Sequence, residues 1–444
     1  MNPVNIALGI CTFKREPFIR RNIRRLIQDI LENKESPLCG HLQVFIADNG
    51  RTLLDDLFEE NRNIHIYPNR NVGGAGGFTR TMIEAIIRRK GEFSHMLLTD
   101  DDIILPADTL ERTYIFLRML KPEYRNDILG GAMFSLEERS VQLENAANVT
   151  SSKQTIFNRF MDFNNPDAVA VNELEKDANY CAWIYCCFPA SMIRPESLPV
   201  PLFIHYDDIE YGIRNSGGEI ITLNGICVWH PNPLTKSSDW ALYYDIRNQL
   251  ITINSTDHPI TKKDALLFAA YNVAIALTHY NYEKATLVNR ALRDYCAGPE
   301  AFMAMDPVEN HSHVFIRHDM ISPEKLGLDV SSPLQLPMVY SKMKEYGTDL
   351  LCLLIPASRK IKVVADGQRW EPFTARTVYV YNQDKKKGYL AKRSRIKMIK
   401  ISLEFLRTAF VFACRYDKLK EEWKAAKSSY TNLKFWEKYL RLDA

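Results

Sequence analysis

The sequence predicts an α/β fold in which a mainly parallel, Rossmann-like sheet is flanked by helices. Short apolar runs at 6–13, 43–50 and 95–102 have the length of buried strands, and each ends in polar residues. Stretches with helical periodicity, 19–30 and 79–90, lie between them. Because strands that alternate with helices usually pair in parallel, we expect their carboxyl ends to share one edge, where ligands bind in such folds.

The remainder of the chain predicts a second, mostly helical domain. Two short strands (220–223 and 226–229) and a helix at 243–253 close the first domain, whose predicted extent is residues 1–255. Residues 256–444 then form the mostly helical C-terminal domain. It contains an apolar helix (264–280), strand-like pieces at 350–355 and 377–381, and a stretch, 392–415, with apolar and basic faces.

Composition and charge exclude several classes of protein. The 444 residues are 46% hydrophobic and 25% charged, as in soluble globular proteins. The nine cysteines form no C-x-x-C pair, which favours a reducing cytosol over a secreted disulfide scaffold. We identify neither a signal peptide nor a membrane span. Residues 385–444 carry 17 Lys/Arg against 6 Asp/Glu, so the tail is basic although the net charge is only +3.

Three acidic or glycine-rich motifs carry the candidate chemistry. Asp100-Asp101-Asp102 follows a buried strand, and its crowded carboxylates favour Mg²⁺ or Mn²⁺, although a solvated acidic loop is the alternative. The glycine-rich segment 71–77 precedes a helix and predicts either an anion site or a turn. Residues 206–211 contain three acids that follow an apolar run in sequence. One of them is a candidate general base, and the alternative is that they cap the start of a helix. His230 ends a strand and is either structural or an additional metal ligand.

Taken together and in this order, the motifs resemble those of glycosyltransferase family 2, inverting enzymes of GT-A fold. Within that family the resemblance is to the galactofuranosyltransferases of bacterial surface galactans and O-antigens. It covers residues 4–253 and rests on TFKR (12–15), ADNG (47–50), NRNVGGAGGFTR (69–80), LLTDDD (97–102), GGAMF (130–134), WIYC (183–186), FIHYDDIEYG (203–212), VWH (228–230) and YYDIRN (243–248).

The resemblance implies a role for each motif. Asp208 is the implied general base, with Asp207 and Glu210 beside it, and Asp100, Asp102 and His230 are the implied ligands of Mn²⁺ or Mg²⁺. The implied contacts to a UDP-sugar are Thr12, Arg15, Asp48, Asn71, Gly73, Gly74, Arg80 and Asp101. The implied acceptor and sugar pocket comprises Glu144, Trp183, Tyr206, Trp229 and Asp245.

The implied reaction is the transfer of galactofuranose from UDP-galactofuranose to a lipid-linked glycan. Trp183-Ile184 replaces the paired tryptophans of that branch, and Asp245 replaces a histidine, so a rhamnosyl or hexopyranosyl donor is an alternative. A noncatalytic subunit that binds sugar nucleotides is another alternative, against which the retention of Asp208 argues.

The basic tail predicts a peripheral contact with the inner face of the cytoplasmic membrane. Ile396, Ile399, Leu403, Leu406 and Phe410 lie on one face of the predicted helix, and basic residues lie on another. The alternative is that this stripe packs on the protein itself or on another subunit, so a homo-oligomer is left open. The acidic body and the lack of a recognised motif argue against nucleic-acid binding.

Overall fold

The parallel core of the sheet is formed by the first hundred residues. A computed structural model describes the chain except residues 54–60, 151–152, 217–218, 233–237, 257–259, 332–356, 367–374, 384 and 443–444. In it, β1 (Ile6–Thr12) pairs in parallel with both β2 (Leu42–Asp48) and β4 (His95–Asp100), and β3 (Ile64–Pro68) extends the sheet beyond β2. Strand β1 is almost entirely buried, as expected of a parallel sheet covered by helices on both faces.

Beyond β4 the sheet becomes mixed. Its order in the described residues is β3-β2-β1-β4-β10-β5-β6-β9, and β11 pairs in parallel with β5. The prediction of two strands around Asn224-Gly225 was wrong, because β11 runs unbroken from Ile220 to His230 with a register shift between Thr222 and Cys227. The positive φ of Gly225 accommodates this irregularity. The added strands are β5 (Ile128–Ser135), β6 (Val141–Glu144), β9 (Met161–Asp162), β10 (Tyr185–Pro189) and β11; β7 (Ala147–Thr150) and β8 (Lys153–Ile156) form a separate hairpin.

The helix predicted from residue 79 begins six residues earlier, at Gly73. Glycines allow it to lie directly on the sheet: a Cβ on Gly77 would come within 2.1 Å of Cys11 Sγ. The glycine-rich segment is therefore the first turns of a packed helix and not a turn-rich loop. The helices of this half are α1 (Glu16–Leu26), α2 (Gly73–Met82), α3 (Ala107–Met119), α4 (Pro166–Asn172), α5 (Asp207–Asn215) and α6 (Ala241–Asn254).

The C-terminal region is mostly helical and includes a small sheet. Residues 377–381 lie in β13, as predicted, whereas 350–355 lie outside the described residues. The described part contains no helix with the length and apolarity that a membrane crossing requires. Its elements are α7 (Lys262–Thr278), α8 (Tyr282–Ala297), α9 (Pro299–Ala304), α10 (Pro307–Val314), β12 (Lys362–Ala365), β13 (Thr377–Asn382), β14 (Lys387–Lys392), α11 (Arg395–Tyr430) and α12 (Leu433–Leu440).

The two halves share buried contacts. Tyr295 of α8 stacks on Trp423 of α11, with ring centroids 5.6 Å apart, in a core that also includes residues of α5 and α6. At the chain's end, the indole N–H of Trp436 donates to the carbonyl oxygen of Pro199 at 2.9 Å. The predicted fold class, a mainly parallel α/β sheet followed by a mostly helical region, is confirmed. The domain boundary at 255, just after α6, stays a prediction.

Candidate active site at the carboxyl edge of the sheet

The register of the parallel strands brings three predicted motifs to one edge. Thr12 is opposite Asp48 across β1 and β2, and Cys11 is opposite Asp100 across β1 and β4. Since parallel strands end together, the side chains that follow them share this edge.

A compact group of potential metal ligands forms there. One ligand atom from each of Asp100, Asp102 and His230 lies within 4.8 Å of the others. The Nε2 atom of His230 is 3.1 Å from Asp102 Oδ1 and 4.0 Å from Asp100 Oδ2. The other ring nitrogen, Nδ1, lies 2.6 Å from the carbonyl oxygen of Pro231, to which it donates. Nε2 is therefore the nitrogen directed at the carboxylates, an arrangement typical of a histidine ligand.

His230 reaches this group because the end of β11 is hydrogen-bonded to the segment that directly follows the Asp triplet in sequence. The amide of Ile104 donates to the carbonyl of Trp229 at 2.8 Å, and the amide of Trp229 donates to the carbonyl of Ile104 at 3.2 Å. This pair of hydrogen bonds holds the end of β11 beside the end of β4. Two motifs that are more than a hundred residues apart thus form one group of ligands.

Arg15 and Thr12 fix the middle carboxylate of the triplet. Arg15 lies 2.8 Å from Asp101 and 2.7 Å from Asp102, and the Thr12 hydroxyl donates to Asp101 Oδ2 at 2.7 Å. Asp101 and Asp102 are both buried. Asp101 is therefore held by the protein, while Asp100 and Asp102 are directed towards His230.

The electrostatics of the triplet favour a bound cation. Burial raises the pKa of Asp100 to about 7, against the opposing effect of His230. Burial lowers the pKa of His230, but its hydrogen bond to Asp102 and the charge of Asp100 outweigh burial and raise it overall. Carboxylates crowded in this way are costly to ionise, and a divalent ion would offset their charge. Oxygen atoms with one imidazole nitrogen form a donor set that fits Mn²⁺ or Mg²⁺.

A second acidic group lies at the start of α5. Phe203, His205 and Tyr206 all have positive φ, so the chain enters this helix through a strained turn. Burial raises the pKa of Asp208 to about 6, and burial with the charge of Asp208 raises the pKa of Asp207 to about 7. A carboxylate with a raised pKa is a stronger base, and strained, buried acids are typical of active sites.

Three further side chains lie around Asp208. Burial, followed by the charge of Asp208, raises the pKa of Glu144 to about 7. The ring of His205 is hydrogen-bonded to Asp245, with 2.7 Å between Nδ1 and Oδ1. The sequence interpretation assigned no role to His205, although its place directly before the acids was a usable signal. Glu144, Asp207, Asp208 and the His205–Asp245 pair thus form one polar neighbourhood.

The glycines at the start of α2 bring the two acidic groups close together. A Cβ on Gly73 would come within 1.9 Å of the Phe203 carbonyl oxygen, and one on Gly74 would be 3.4 Å from Asp207 Oδ2. Burial raises the pKa of the Cys11 thiol, and the charges of Asp101, Asp100 and Asp207 raise it further. Acids of both groups are therefore within electrostatic reach of one thiol. The N-terminus of α2, which favours anions, lies beside them.

Replacing Gly73 with alanine is expected to destabilise the fold by about 2 kcal/mol or more, because the new Cβ meets backbone at a positive φ. Gly74→Ala is the matched control: its Cβ has ordinary contact distances, so the change should stay below about 1 kcal/mol. Urea unfolding of both variants measures this difference. Equal stability of the two variants would contradict the close approach of α2 to Phe203.

Several predicted site residues have structural partners. The Asp48 carboxylate accepts hydrogen bonds from the amides of Gly50, Thr52 and Leu53. The Asn71 side chain accepts a hydrogen bond from the amide of Gly73. These contacts shape the loops at the carboxyl edge, and contact of either residue with a nucleotide stays a prediction.

Two other predicted site residues, Arg80 and Glu210, each form an ion pair with the residue four positions later in the chain. Arg80 lies over the ring of Tyr67, and its Nε is 2.7 Å from Glu84. Glu210 is buried and forms two hydrogen bonds with Arg214, and its place beside Asp207 and Asp208 in catalysis stays a prediction.

The predicted pocket tryptophans differ in their surroundings. Trp183 is buried in the core, edge-on to both Phe78 and Tyr211. Trp229 is half-buried, and its indole N–H donates to the carbonyl of Arg139. A direct contact of either ring with a sugar stays a prediction.

Comparison with known proteins finds sequence relatives of one kind. The chain is 28% identical over 323 residues to galactofuranosyltransferase GlfT2 of Mycobacterium tuberculosis, and 27% identical over 325 residues to GlfT2 of Mycolicibacterium smegmatis. Each alignment covers 67% of this chain and 49% or 48% of the relative. The chain therefore spans about half the length of the curated relatives it matches. No family model matches the chain.

The solved structures that match are more distant in sequence and have low TM-scores. A mannosyltransferase from Pyrobaculum calidifontis, in complex with GDP-Man and Mn²⁺, is 13% identical, with a TM-score of 0.36, over 71% of this chain and 84% of that one. Glucosyl-3-phosphoglycerate synthase from Mycobacterium tuberculosis is 14% identical, with a TM-score of 0.30, over 52% of this chain and 72% of that one. The resemblance drawn from the motifs is confirmed by the sequence relatives, since both proteins to which this chain is similar are named galactofuranosyltransferases.

Proposed function

We propose that this chain is an inverting, metal-dependent galactofuranosyltransferase that acts on a lipid-linked glycan of a bacterial surface polysaccharide. The observation that carries the proposal is the pairing of two acidic groups beside the N-terminus of α2. One of them can hold a divalent ion, and the other contains a half-buried carboxylate of raised pKa, that of Asp208. A protein that only binds sugar nucleotides has no need of the second group. The sequence relatives support galactofuranose as the sugar.

In this proposal Asp100, Asp102 and His230 hold Mn²⁺ or Mg²⁺. When bound, the ion supplies Lewis-acid stabilisation of the charge on the departing diphosphate. Arg15 and Thr12 keep Asp101 in place, and Arg15 contacts Asp102 through Oδ2, which leaves Asp102 Oδ1 facing His230. The hydrogen bond from His230 Nδ1 to Pro231 orients the ring so that Nε2 faces Asp100 and Asp102, where Nε2 would bind the ion after losing its proton.

Asp208 acts as the base in this proposal. Its carboxylate removes the proton from an acceptor hydroxyl while that oxygen forms a bond to the anomeric carbon of the donor. The bond from that carbon to the diphosphate oxygen breaks, and its electron pair leaves with UDP. One displacement from the opposite face inverts the anomeric configuration. A pKa of about 6 leaves Asp208 ionised at neutral pH yet more basic than an exposed aspartate.

The remaining predicted residues keep their proposed roles around this centre. Thr12, Arg15, Asp48 and Asp101 are proposed to border the uridine, and the segment Asn71–Arg80 is proposed to support the diphosphate through the start of α2. Glu144 and Asp245 belong to the same polar neighbourhood as the base and are proposed to orient sugar hydroxyls. Tyr206, Trp183 and Trp229 are proposed to shape the pocket walls.

A donor screen tests the proposal. Thermal stability and UDP release are measured with UDP-galactofuranose, UDP-galactopyranose, UDP-glucose and dTDP-rhamnose, each with and without Mn²⁺. We expect metal-dependent stabilisation and slow hydrolysis with UDP-galactofuranose above the others. A preference for another sugar nucleotide would contradict the assignment of UDP-galactofuranose as the donor. The absence of any response would favour the noncatalytic alternative.

A lipid-linked acceptor requires contact with a membrane, and α11 offers a suitable surface. Five of its apolar residues, at 396, 399, 403, 406 and 410, are between 53% and 80% exposed in the part of the chain that the structure describes. Arg395, Lys397, Lys400 and Arg407 are exposed on the same helix. Apolar side chains flanked by cations suit the interface of an anionic bilayer, and the inner face of the cytoplasmic membrane is the proposed location.

Replacing Leu406 and Phe410 together with glutamate is expected to lower binding to phosphatidylglycerol vesicles at least about tenfold, through lost apolar burial and added repulsion. Flotation with phosphatidylglycerol and phosphatidylcholine vesicles measures the effect. Met119→Glu is the control, since Met119 is 70% exposed on α3, outside the stripe. Equal flotation of all variants would contradict a membrane role for α11.

A further inference from the structure

A large open cleft lies outside the two acidic groups. It has a volume of about 640 Å³ and is bordered by the start of α6, by α7 and α8, by residues 315–320 and by the small sheet β12–β14. None of the residues given a role above lines it. A cleft of this size can hold several sugar units or a nucleotide, so its chemistry must decide between them.

Flat aromatic surfaces line the cleft. The rings of His318 and Tyr389 are stacked, with centroids 3.9 Å apart and planes within 6° of parallel. Phe315 is 50% exposed, and Trp240 is half-buried at one end. Aromatic faces of this kind pack against the C–H faces of sugar rings, as they do against other apolar surfaces with a polar rim.

The polar groups of the cleft balance in charge. Three carboxylates (Asp239, Asp319 and Asp366) and three cations (Lys284, Arg317 and Lys385) line it. Such a lining offers many hydrogen-bond donors and acceptors, while the charges of these six side chains sum to zero. A phosphate or nucleotide would require an excess of cations, so the lining favours a neutral, hydroxyl-rich ligand.

One of these carboxylates is held rigidly. Asp239 accepts a hydrogen bond from Asn281 at 2.6 Å, lies 3.2 Å from Lys284 Nζ, and is 3.1 Å from His318 Nε2. The same His318 ring stacks on Tyr389. The polar anchor and the aromatic platform are thus parts of one ordered unit, which lowers the entropic cost of ligand binding.

One end of the cleft approaches the turn that leads into the proposed base. Trp240 borders the cleft, and its ring centroid is 6.2 Å from that of His205. His205 in turn lies three residues before Asp208 and is bonded to Asp245. A chain of sugars with its reactive end at Asp208 would pass Trp240 on its way into the cleft.

We propose that this cleft is a binding site for the acceptor glycan, which holds neutral sugar units that lie several residues from the hydroxyl that reacts. The proposal rests on the proposed function and adds to it a subsite that selects for acceptor length. A subsite away from the reacting centre affects binding of long acceptors and leaves the chemical step unchanged.

The test compares a synthetic octyl galactofuranosyl tetrasaccharide with the matching monosaccharide, with UDP-galactofuranose as donor. Tyr389→Leu and, separately, Phe315→Ala remove aromatic surface. Each is expected to raise KM for the tetrasaccharide about tenfold, with kcat and KM for the monosaccharide within about twofold of the parent. Tyr381→Leu is the control, because Tyr381 lies in neighbouring β13 and does not line the cleft.

Direct binding separates this proposal from the proposed function. Saturation-transfer NMR measures tetrasaccharide binding without donor, so it does not depend on transfer activity. Binding that both variants weaken about tenfold supports the cleft even if UDP-galactofuranose proves to be the wrong donor. Unchanged binding and unchanged KM in both variants, or equal effects on the two acceptors, would overturn it.

Discussion

Asp208→Asn is expected to lower the rate of sugar transfer about a thousandfold while donor binding stays within about twofold of the parent protein. Asparagine has the shape of aspartate but cannot accept a proton at neutral pH. Asp208 is half-buried, and its partial burial raises its pKa to about 6, so an amide at this position removes a proton acceptor of suitable strength from the site. The loss should fall on kcat, because the proton moves only during the reaction.

The control for this variant is Asp167→Asn. Asp167 also lies in the first turn of a helix, α4, but it is exposed. Transfer is followed as UDP release with acceptor present, and donor binding is followed by calorimetry. Near-normal turnover by Asp208→Asn would show that another group is the base, with Asp207 and Glu144 the first candidates because their pKa values are also raised to about 7.

Asp100→Asn is expected to abolish stabilisation by Mn²⁺ and to lower transfer at least about a hundredfold. The variant removes one charged ligand from the group with Asp102 and His230. In the metal-free protein, by contrast, the substitution should not lower the stability of the fold. Burial raises the pKa of Asp100 to about 7, so its ionised form costs stability as the pH rises above the normal value for aspartate. Without metal, the melting temperature of the variant should therefore be at least as high as that of the parent protein.

This opposite pair of effects is measured as the melting temperature with Mn²⁺ and with a chelator, at neutral pH. Asp108→Asn is the control, since that side chain is 72% exposed on α3. Loss of stability in both conditions would indicate a structural role for Asp100. An unchanged response to Mn²⁺ would remove Asp100 from the proposed ligand set.

The parallel strands were predictable because their apolar runs are short and continuous and end in polar residues. Once β1, β2 and β4 are placed side by side, Thr12, Asp48 and Asp100 must share an edge. The residues alone left His230 as either a structural histidine or an additional metal ligand, and the resemblance implied the ligand. Nothing local shows that β11 ends beside β4, since the two Ile104–Trp229 hydrogen bonds link segments distant in sequence.

Other features depended on packing that no local pattern records. The glycine-rich segment has the composition of a loop, but its glycines permit a helix to lie on Cys11 and Phe203. The pairing of Arg15 with Asp101 and Asp102 links segments more than eighty residues apart, so residue type alone leaves it open. The cleft beside Trp240 was missed because its lining comes from five separate segments.

The most direct test of the central claim is the stereochemistry of the product formed from UDP-galactofuranose and a short galactofuranosyl acceptor. Proton NMR of the reaction, with Mn²⁺ and then with a chelator, reports both transfer and anomeric configuration. The two acidic groups predict metal-dependent transfer with a new linkage opposite in configuration to that of the donor. Transfer with retained configuration, or no transfer under either condition, would contradict the assignment of Asp208 and the metal group to one inverting site.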